Sequence, residues 1–239
     1  MPSALPLAII QFETPPEAVI DRVGEQQHWF VAALGLQPDE YVVIRPDLGE
    51  TLPDACSVAA AVLSGSWAMV TDHAEWSERS AAWIRSAVEQ GLPLLGVCYG
   101  HQLMAYALGG LVDDNPRGWE RGLQQLEMNA CSASDPLLSQ LPTHFSAWLS
   151  HRQSVLQPPP GAQVLAASAQ DDCQIIRYTP QALSVQFHPE FTGTIMTACL
   201  QSSQNSELSS LMAHQQEPAT PLHLLQTFWH QHRQASKLA

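Results

Sequence analysis

The sequence is short of charge, and of positive charge most of all. Only 14% of its 239 residues are Asp, Glu, Lys or Arg, against a usual ~25%. Ten Lys and Arg face 23 Asp and Glu, which leaves a net charge of −13. The balance stays negative even with all ten histidines protonated. A chain of that sign repels a phosphate backbone, which argues against general nucleic-acid binding. Long apolar runs are also missing: none approaches the ~18–20 residues that span a bilayer. The opening Met1-Pro2-Ser3-Ala4-Leu5 has no basic stretch ahead of its apolar one, so no secretory signal is expected. The five cysteines are scattered with no Cys-x-x-Cys pair, which argues against a disulfide framework or a zinc ribbon. A reducing cytoplasm is expected, with Cys56, Cys131, Cys173 and Cys199 as core thiols. What remains is a globular composition, 45% hydrophobic, of a length for one or two domains.

Apolar runs and their stops divide the chain. Leu5–Phe12 reads as a strand ended by Thr14-Pro15-Pro16, and Pro16–Leu34 as a helix closed by Gly35. Tyr41–Ile44, Val58–Leu63 and Leu92–Val97 are further strands. Ser77–Gln90 and Gly100–Leu108 are helices, closed by Gly91 and by Gly109-Gly110. Unbroken apolar strands alternating with helices predict a parallel sheet covered on both faces. After Gly110 the runs Gly122–Asn129, Thr143–Leu149, Gln163–Ser168, Cys173–Tyr178 and Leu183–Phe187 follow with few helices between them. They predict an antiparallel or mixed extension of the same sheet, and one domain over 1–239 with its motif-bearing core at about 5–200. Gln201–Ser210 reads as a linker or a solvated helix face. Thr220-Pro221 is a cap and first-turn pair opening a last helix. Its Leu222, Leu224, Leu225, Phe228 and Trp229 form an apolar face expected to dock on the sheet, while His223, His230 and His232 solvate it.

Two short motifs carry chemistry. Gly96-Val97-Cys98-Tyr99-Gly100 falls between a predicted strand and a predicted helix. A nucleophile on such a turn needs small neighbours so that the backbone can bend sharply. The helix N-terminus lowers the thiol pKa and offers N–H groups to an oxyanion. A buried structural cysteine with incidental glycines is the plainer alternative. His188-Pro189-Glu190 follows the strand Leu183–Phe187 directly. Side chains two apart at a strand end share a side, so Glu190 can fix the imidazole tautomer and leave the other nitrogen to a thiol. A surface pair or half of a metal site would read the same way. No further His or Cys cluster is spaced to complete such a site, so no metal is expected.

Together, Gly96-Val97-Cys98-Tyr99-Gly100-His101-Gln102 and Gln186-Phe187-His188-Pro189-Glu190 resemble the triad-type, class I glutamine amidotransferases. The likeness covers about Leu7 to Phe191 and is nearest the amidotransferase domain of GMP synthase and its stand-alone relatives. It implies an open, three-layer, flavodoxin-like α/β fold, a mostly parallel central sheet with an antiparallel extension and helices on both faces. It implies Cys98 as nucleophile, His188 as general base and then acid, and Glu190 as the orienting carboxylate. Leu63-Ser64-Gly65-Ser66 resembles the oxyanion loop, pairing the N–H of Gly65 with that of Tyr99. Gln102, Ser150 and His151 match positions that hold the substrate glutamine, and His101 is expected to be structural. Gly118-Trp119-Glu120 matches a loop near the same pocket.

There are departures from the family. Ser64-Gly65-Ser66 stands where many members carry paired glycines, and Arg152-Gln153 replaces the Gly-Asp that often follows Ser-His. No Gly-rich ATP-pyrophosphatase loop follows Glu190, so these residues alone are not expected to aminate a nucleotide. The resemblance implies hydrolysis of the glutamine γ-amide to glutamate and ammonia, with no cofactor and an acceptor or synthetase on a separate chain. A γ-glutamyl peptide or conjugate hydrolase would use the same triad, with Trp67, Trp119 and Arg152 lining the pocket beyond the scissile bond. A regulatory or binding subunit without turnover is the reading from another class. Neither nucleic acid nor membrane is an expected partner, and a homo-oligomer is left open.

Overall fold

The computed structural model describes residues 5–203 and 216–235. Eleven strands follow in chain order among them: Leu7–Ile10 (β1), Tyr41–Ile44 (β2), Ala60–Leu63 (β3), Leu94–Val97 (β4), Leu111–Asp114 (β5), Glu120–Met128 (β6), His144–His151 (β7), Gln153–Gln157 (β8), Gln163–Ser168 (β9), Ile175–Thr179 (β10) and Ala182–Val185 (β11). The helices are Glu17–Val23 (α1), Gln26–Leu34 (α2), Glu75–Glu89 (α3), Tyr99–Ala107 (α4), Gly193–Ser202 (α5) and Ala219–Ala235 (α6).

Nine strands make one sheet in the order β2-β1-β3-β4-β11-β10-β9-β6-β7. From β2 to β11 neighbours run parallel, and from β11 to β7 antiparallel. Both expected parts of the sheet are present. Successive side chains on a strand face opposite ways, and the core divides accordingly. Leu7, Ile9, Val62, Leu95 and Val97 pack in one cluster with Phe30 of α2 and with Leu224, Leu225, Phe228 and Trp229 of α6. Ala8, Ile10, Ala61, Leu63 and Leu94 pack in the other, with Ala81 and Ile84 of α3 and Leu103 and Met104 of α4. Every residue of β1, β3, β4 and β11 is buried, as helices on both faces require.

Several expectations need correction. The helix read over Pro16–Leu34 is two helices, because Gly24 takes a φ of +73° that no right-handed helix contains. Helix α5 was not anticipated; Thr192 caps it, accepting from the N–H of Ile195. Nor was the two-stranded sheet β5–β8, whose β5 buries only Val112 and so carries little apolar signal. Helix α6 does dock on the sheet, but it begins at Ala219, which puts Thr220-Pro221 inside its first turn, and Leu222 is exposed. Gln201 and Ser202 close α5, while positions 204–210 of the supposed linker lie outside the described residues. Cys56 and Cys131 are exposed rather than core thiols; Cys173 and Cys199 are buried. No helix among the described residues is long and apolar enough to cross a membrane.

Candidate active site

Cys98 occupies the single residue between β4 and α4, with φ +51° and ψ −101°. A non-glycine residue held there stores about 1–3 kcal/mol of strain. The flanking glycines are needed for space. A Cβ on Gly96 would stand 2.6 Å from the Gly100 carbonyl oxygen and 2.7 Å from Met104 Sδ, and one on Gly100 would stand 2.5 Å from the Leu63 carbonyl oxygen. The Cys98 N–H bonds the Val185 carbonyl at 2.9 Å, tying the turn to the end of β11.

Three residues beyond β11 lies His188, its N–H bonded to the Trp148 carbonyl of β7 at 2.9 Å. Its Nδ1 lies 2.8 Å from Glu190 Oε1, and both side chains are buried. Phe191 stacks on the ring at a centroid distance of 3.9 Å. With Nδ1 engaged by the carboxylate, Nε2 is the nitrogen left for another partner. Burial works against charge on this ring, but Glu190 and Cys98 outweigh it and push His188 up to about 10. The ring and the thiol flank one glycine: a Cβ on Gly65 would meet His188 Cε1 at 3.0 Å and Cys98 Cβ at 3.7 Å.

The Gly65 loop is tied to the turn. Ser64 accepts the Phe12 N–H on its Oγ at 2.9 Å and donates to the Gly65 carbonyl at 2.7 Å, while its own carbonyl takes the Gly100 N–H at 3.0 Å. Glu13 secures the far end, accepting from Ser66 Oγ at 2.7 Å and from the Ala68 N–H at 2.8 Å. Nothing in the sequence pattern pointed to Glu13, which itself sits at φ +64°. The Gly65 and Tyr99 N–H groups have no hydrogen-bond partner among the described residues.

Cys98, Tyr99, Gly65, Gln102, Ser150, His151, His188 and Glu190 line one cavity of about 150 Å³, together with Trp67, Trp119 and Arg152. The sequence-predicted residues are therefore brought together. Their side chains are not all free to meet a ligand. Gln102 spends its Nε2 on the Gln153 carbonyl at 2.6 Å and on Gln186 Oε1 at 3.0 Å, leaving Oε1. Ser150 presents its carbonyl to Cys98 Sγ at 3.9 Å. Arg152 is paired with Asp114 at 2.6 Å. His151 has both ring nitrogens engaged, Nδ1 with the Gln153 carbonyl at 2.9 Å and Nε2 with Glu120 Oε2 at 2.8 Å. Its side chain is only 1% exposed, so the ring is held inside the wall rather than offered to the cavity.

Glu120, His151 and Asp171 bring one ligand atom each within 4.8 Å of one another, a grouping the sequence spacing did not reveal. Gln174 Nε2 also donates to Glu120 Oε2, at 2.8 Å. Both ring nitrogens of His151 already face acceptors, Glu120 and the Gln153 carbonyl, so the cluster is hydrogen-bonded within itself. His101, outside the cavity lining, bonds Ser184 Oγ through Nδ1 at 2.7 Å, and burial first, then the nearby His151, push it down to about 3. Among the cavity residues that sequence reasoning missed are Gln26 and Arg121. Both amide atoms of Gln26 are buried without a partner. No motif marks either position.

Comparison with known proteins points one way. The family model described as Glutamine amidotransferase class-I matches residues 20–203. GMP synthase [glutamine-hydrolyzing] of Aeropyrum pernix is 34% identical over 186 residues, 76% of this chain and 34% of that enzyme. The chain therefore spans about a third of the length of that relative. A GMP synthase [glutamine-hydrolyzing] subunit of Saccharolobus solfataricus is 35% identical over 136 residues, 56% of this chain and 68% of that protein. The crystal structure of a glutamine amidotransferase from Thermotoga maritima shares the fold, with a TM-score of 0.77 at 16% identity over 97% of this chain and 99% of that one.

Proposed function

The chain belongs to the class I glutamine amidotransferases, and from that premise we propose that it hydrolyses the γ-amide of glutamine at Cys98, with His188 and Glu190 as its acid–base pair. The observation that carries this reading is the convergence on Gly65: a strained cysteine and a carboxylate-oriented imidazole flank the same glycine. In this account the Cys98 thiolate adds to the amide carbon, and the Gly65 and Tyr99 N–H groups take the negative oxygen. The His188 Nε2 proton passes to the amide nitrogen, so ammonia leaves and a γ-glutamyl thioester remains on Cys98. His188 then takes a proton from water, hydroxide adds to the thioester carbon, and glutamate departs as the thiolate re-forms. Each oxyanion donor contributes about 3 kcal/mol to such a barrier. Every step is carried by these groups and water.

The ammonia is released for an acceptor on another chain. One relative is itself called a subunit of GMP synthase, which supports a synthetase as the separate partner. We treat 1–239 as one amidotransferase unit, and the thiolate chemistry and exposed Cys56 and Cys131 suit a reducing cytoplasm. A γ-glutamyl peptide is the second reading, favoured by Trp67 and Trp119, which line the cavity yet are 38% and 48% exposed and so offer surface to a larger amine half. Glutamate release from L-glutamine and from a γ-glutamyl dipeptide, measured side by side with Cys98→Ala as blank, tests both. Cys98-dependent release from glutamine supports the proposal, faster release from the dipeptide favours the second reading, and release that survives Cys98→Ala refutes both.

A further inference from the structure

Arg121 lines the cavity of a chain that has acids to spare, yet no carboxylate among the described residues pairs with it. Of the other eight arginines, six, at 45, 79, 117, 152, 177 and 233, lie within 4.0 Å of a carboxylate, and the remaining two, Arg22 and Arg85, do not line the cavity. The Nε of Arg121 is buried with no hydrogen-bond partner among the described residues. The guanidinium carbon lies 3.2 Å from the centroid of the Trp119 ring, so the indole fixes its plane. On β6, Arg121 is the cross-strand partner of Ser150, whose carbonyl meets the Cys98 thiol. Both residues line the cavity that holds Cys98. Burial alone pushes the pKa of Arg121 down, which marks a charge already stripped of part of its water. Leaving such a group unpaired is costly; a planar, two-oxygen anion matches its fork of donors.

We propose that Arg121, stacked on Trp119, forms a carboxylate-binding subsite of the cavity and selects substrates that carry a carboxylate. This rests on the reading of Cys98 as the nucleophile toward a γ-glutamyl amide. Two carboxylates fit the chemistry: the α-carboxylate of the glutamyl half, or the carboxylate of an amino acid on the amine half. Position beside Ser150 places the subsite on the wall next to the thiol in either case.

The test compares kcat/KM for L-glutamine against its α-amide, and for γ-glutamylglycine against γ-glutamylmethylamide, in the parent protein, Arg121→Met and Arg121→Lys. A charge-assisted bidentate contact is worth roughly 30-fold in discrimination. The subsite is supported if Arg121→Met erases about that much preference in one pair and Arg121→Lys erases less. Loss in the glutamine pair assigns the α-carboxylate; loss in the dipeptide pair assigns the amine half. Preferences unchanged in both pairs overturn it. Calorimetric titration of Cys98→Ala, with and without Arg121→Met, asks the same of binding without turnover, using the same four compounds. If the parent hydrolyses none of the four, the proposed activity fails. The calorimetry then decides the subsite alone: carboxylate preference abolished by Arg121→Met supports it, and equal affinities or no binding overturn it.

Discussion

In the parallel half of the sheet, the interior of β1, β3 and β4 is apolar throughout, and the cysteine at its edge is placed by backbone geometry and missing side chains. In the antiparallel half, the wall of the cavity rests on Glu120, His151, Gln153 and Gln174, which are buried, polar and bonded to one another. A turn held by sterics tolerates changes of pH and salt but not an added methyl group. A wall held by buried hydrogen bonds tolerates small changes of volume but not the loss of one partner. The two halves meet where β11 lies between β4 and β10, and His188 follows directly from that strand.

The sharpest way to separate chemistry from support is Cys98→Ala. Turnover should fall by about 10⁴-fold or more, while the thermal midpoint holds, because alanine keeps the same Cβ and the same backbone angles at the turn. A fall in both would mean that the turn depends on the cysteine for folding. Next comes Glu120→Ala, which strands His151 in the core; leaving a buried hydrogen-bonding group unsatisfied costs about 1–3 kcal/mol. Urea unfolding of that variant and of Glu120→Leu with His151→Leu should show the double change costing less than the single one. A simple sum would show that the two side chains do not depend on each other. Gly100→Ala tests the other half: the new Cβ would press on the Leu63 carbonyl, at a cost of about 1–3 kcal/mol. Activity should drop more than stability, because Cys98 and the Tyr99 N–H move with that turn.

Much of the parallel half was legible, because its strands are unbroken apolar runs and its glycines flank a cysteine at a strand-to-helix turn. Tyr41–Ile44 coincides with β2, and Gly35 and Gly91 follow α2 and α3 with φ of +63° and +74°. Legibility failed where a role is made by partners distant in the chain. Glu13 reaches Ser66 and Ala68, Glu120 reaches His151, and Arg121 lies across from Ser150. Glu13 and Arg121 are unremarked charged residues until the chain folds, and the Gly118-Trp119-Glu120 motif marked Glu120 without its partner His151. His151 shows the same limit from the other side: the motif identified the position, but its ring is consumed by Glu120 and the Gln153 carbonyl.

The smallest expected effect is on pH. Burial holds the folded His101 value near 3 against an ordinary 6.5, so the unfolded chain binds the proton more readily. The stability this burial confers is full above about 6.5 and drains as pH falls toward about 3. It amounts to about 2 kcal/mol between pH 6.5 and pH 5. His188 acts in the opposite direction: its folded value is raised to about 10, so its contribution is full below about 6.5 and is lost as pH rises through about 10. Urea midpoints across pH should show both limbs, and His101→Gln should flatten only the acid one. An unchanged acid limb would show that other groups set it.

Cys98 is one thiol among five, and Cys56 and Cys131 are the exposed ones. Acid quench of the enzyme during turnover of L-glutamine, followed by peptide mapping by mass spectrometry, asks which thiol carries the γ-glutamyl group. The account expects the added mass on the peptide bearing Cys98 and on no other, and its disappearance in Cys98→Ala. A γ-glutamyl adduct on Cys56 or Cys131, or a full single turnover that passes through no adduct on Cys98, would contradict it.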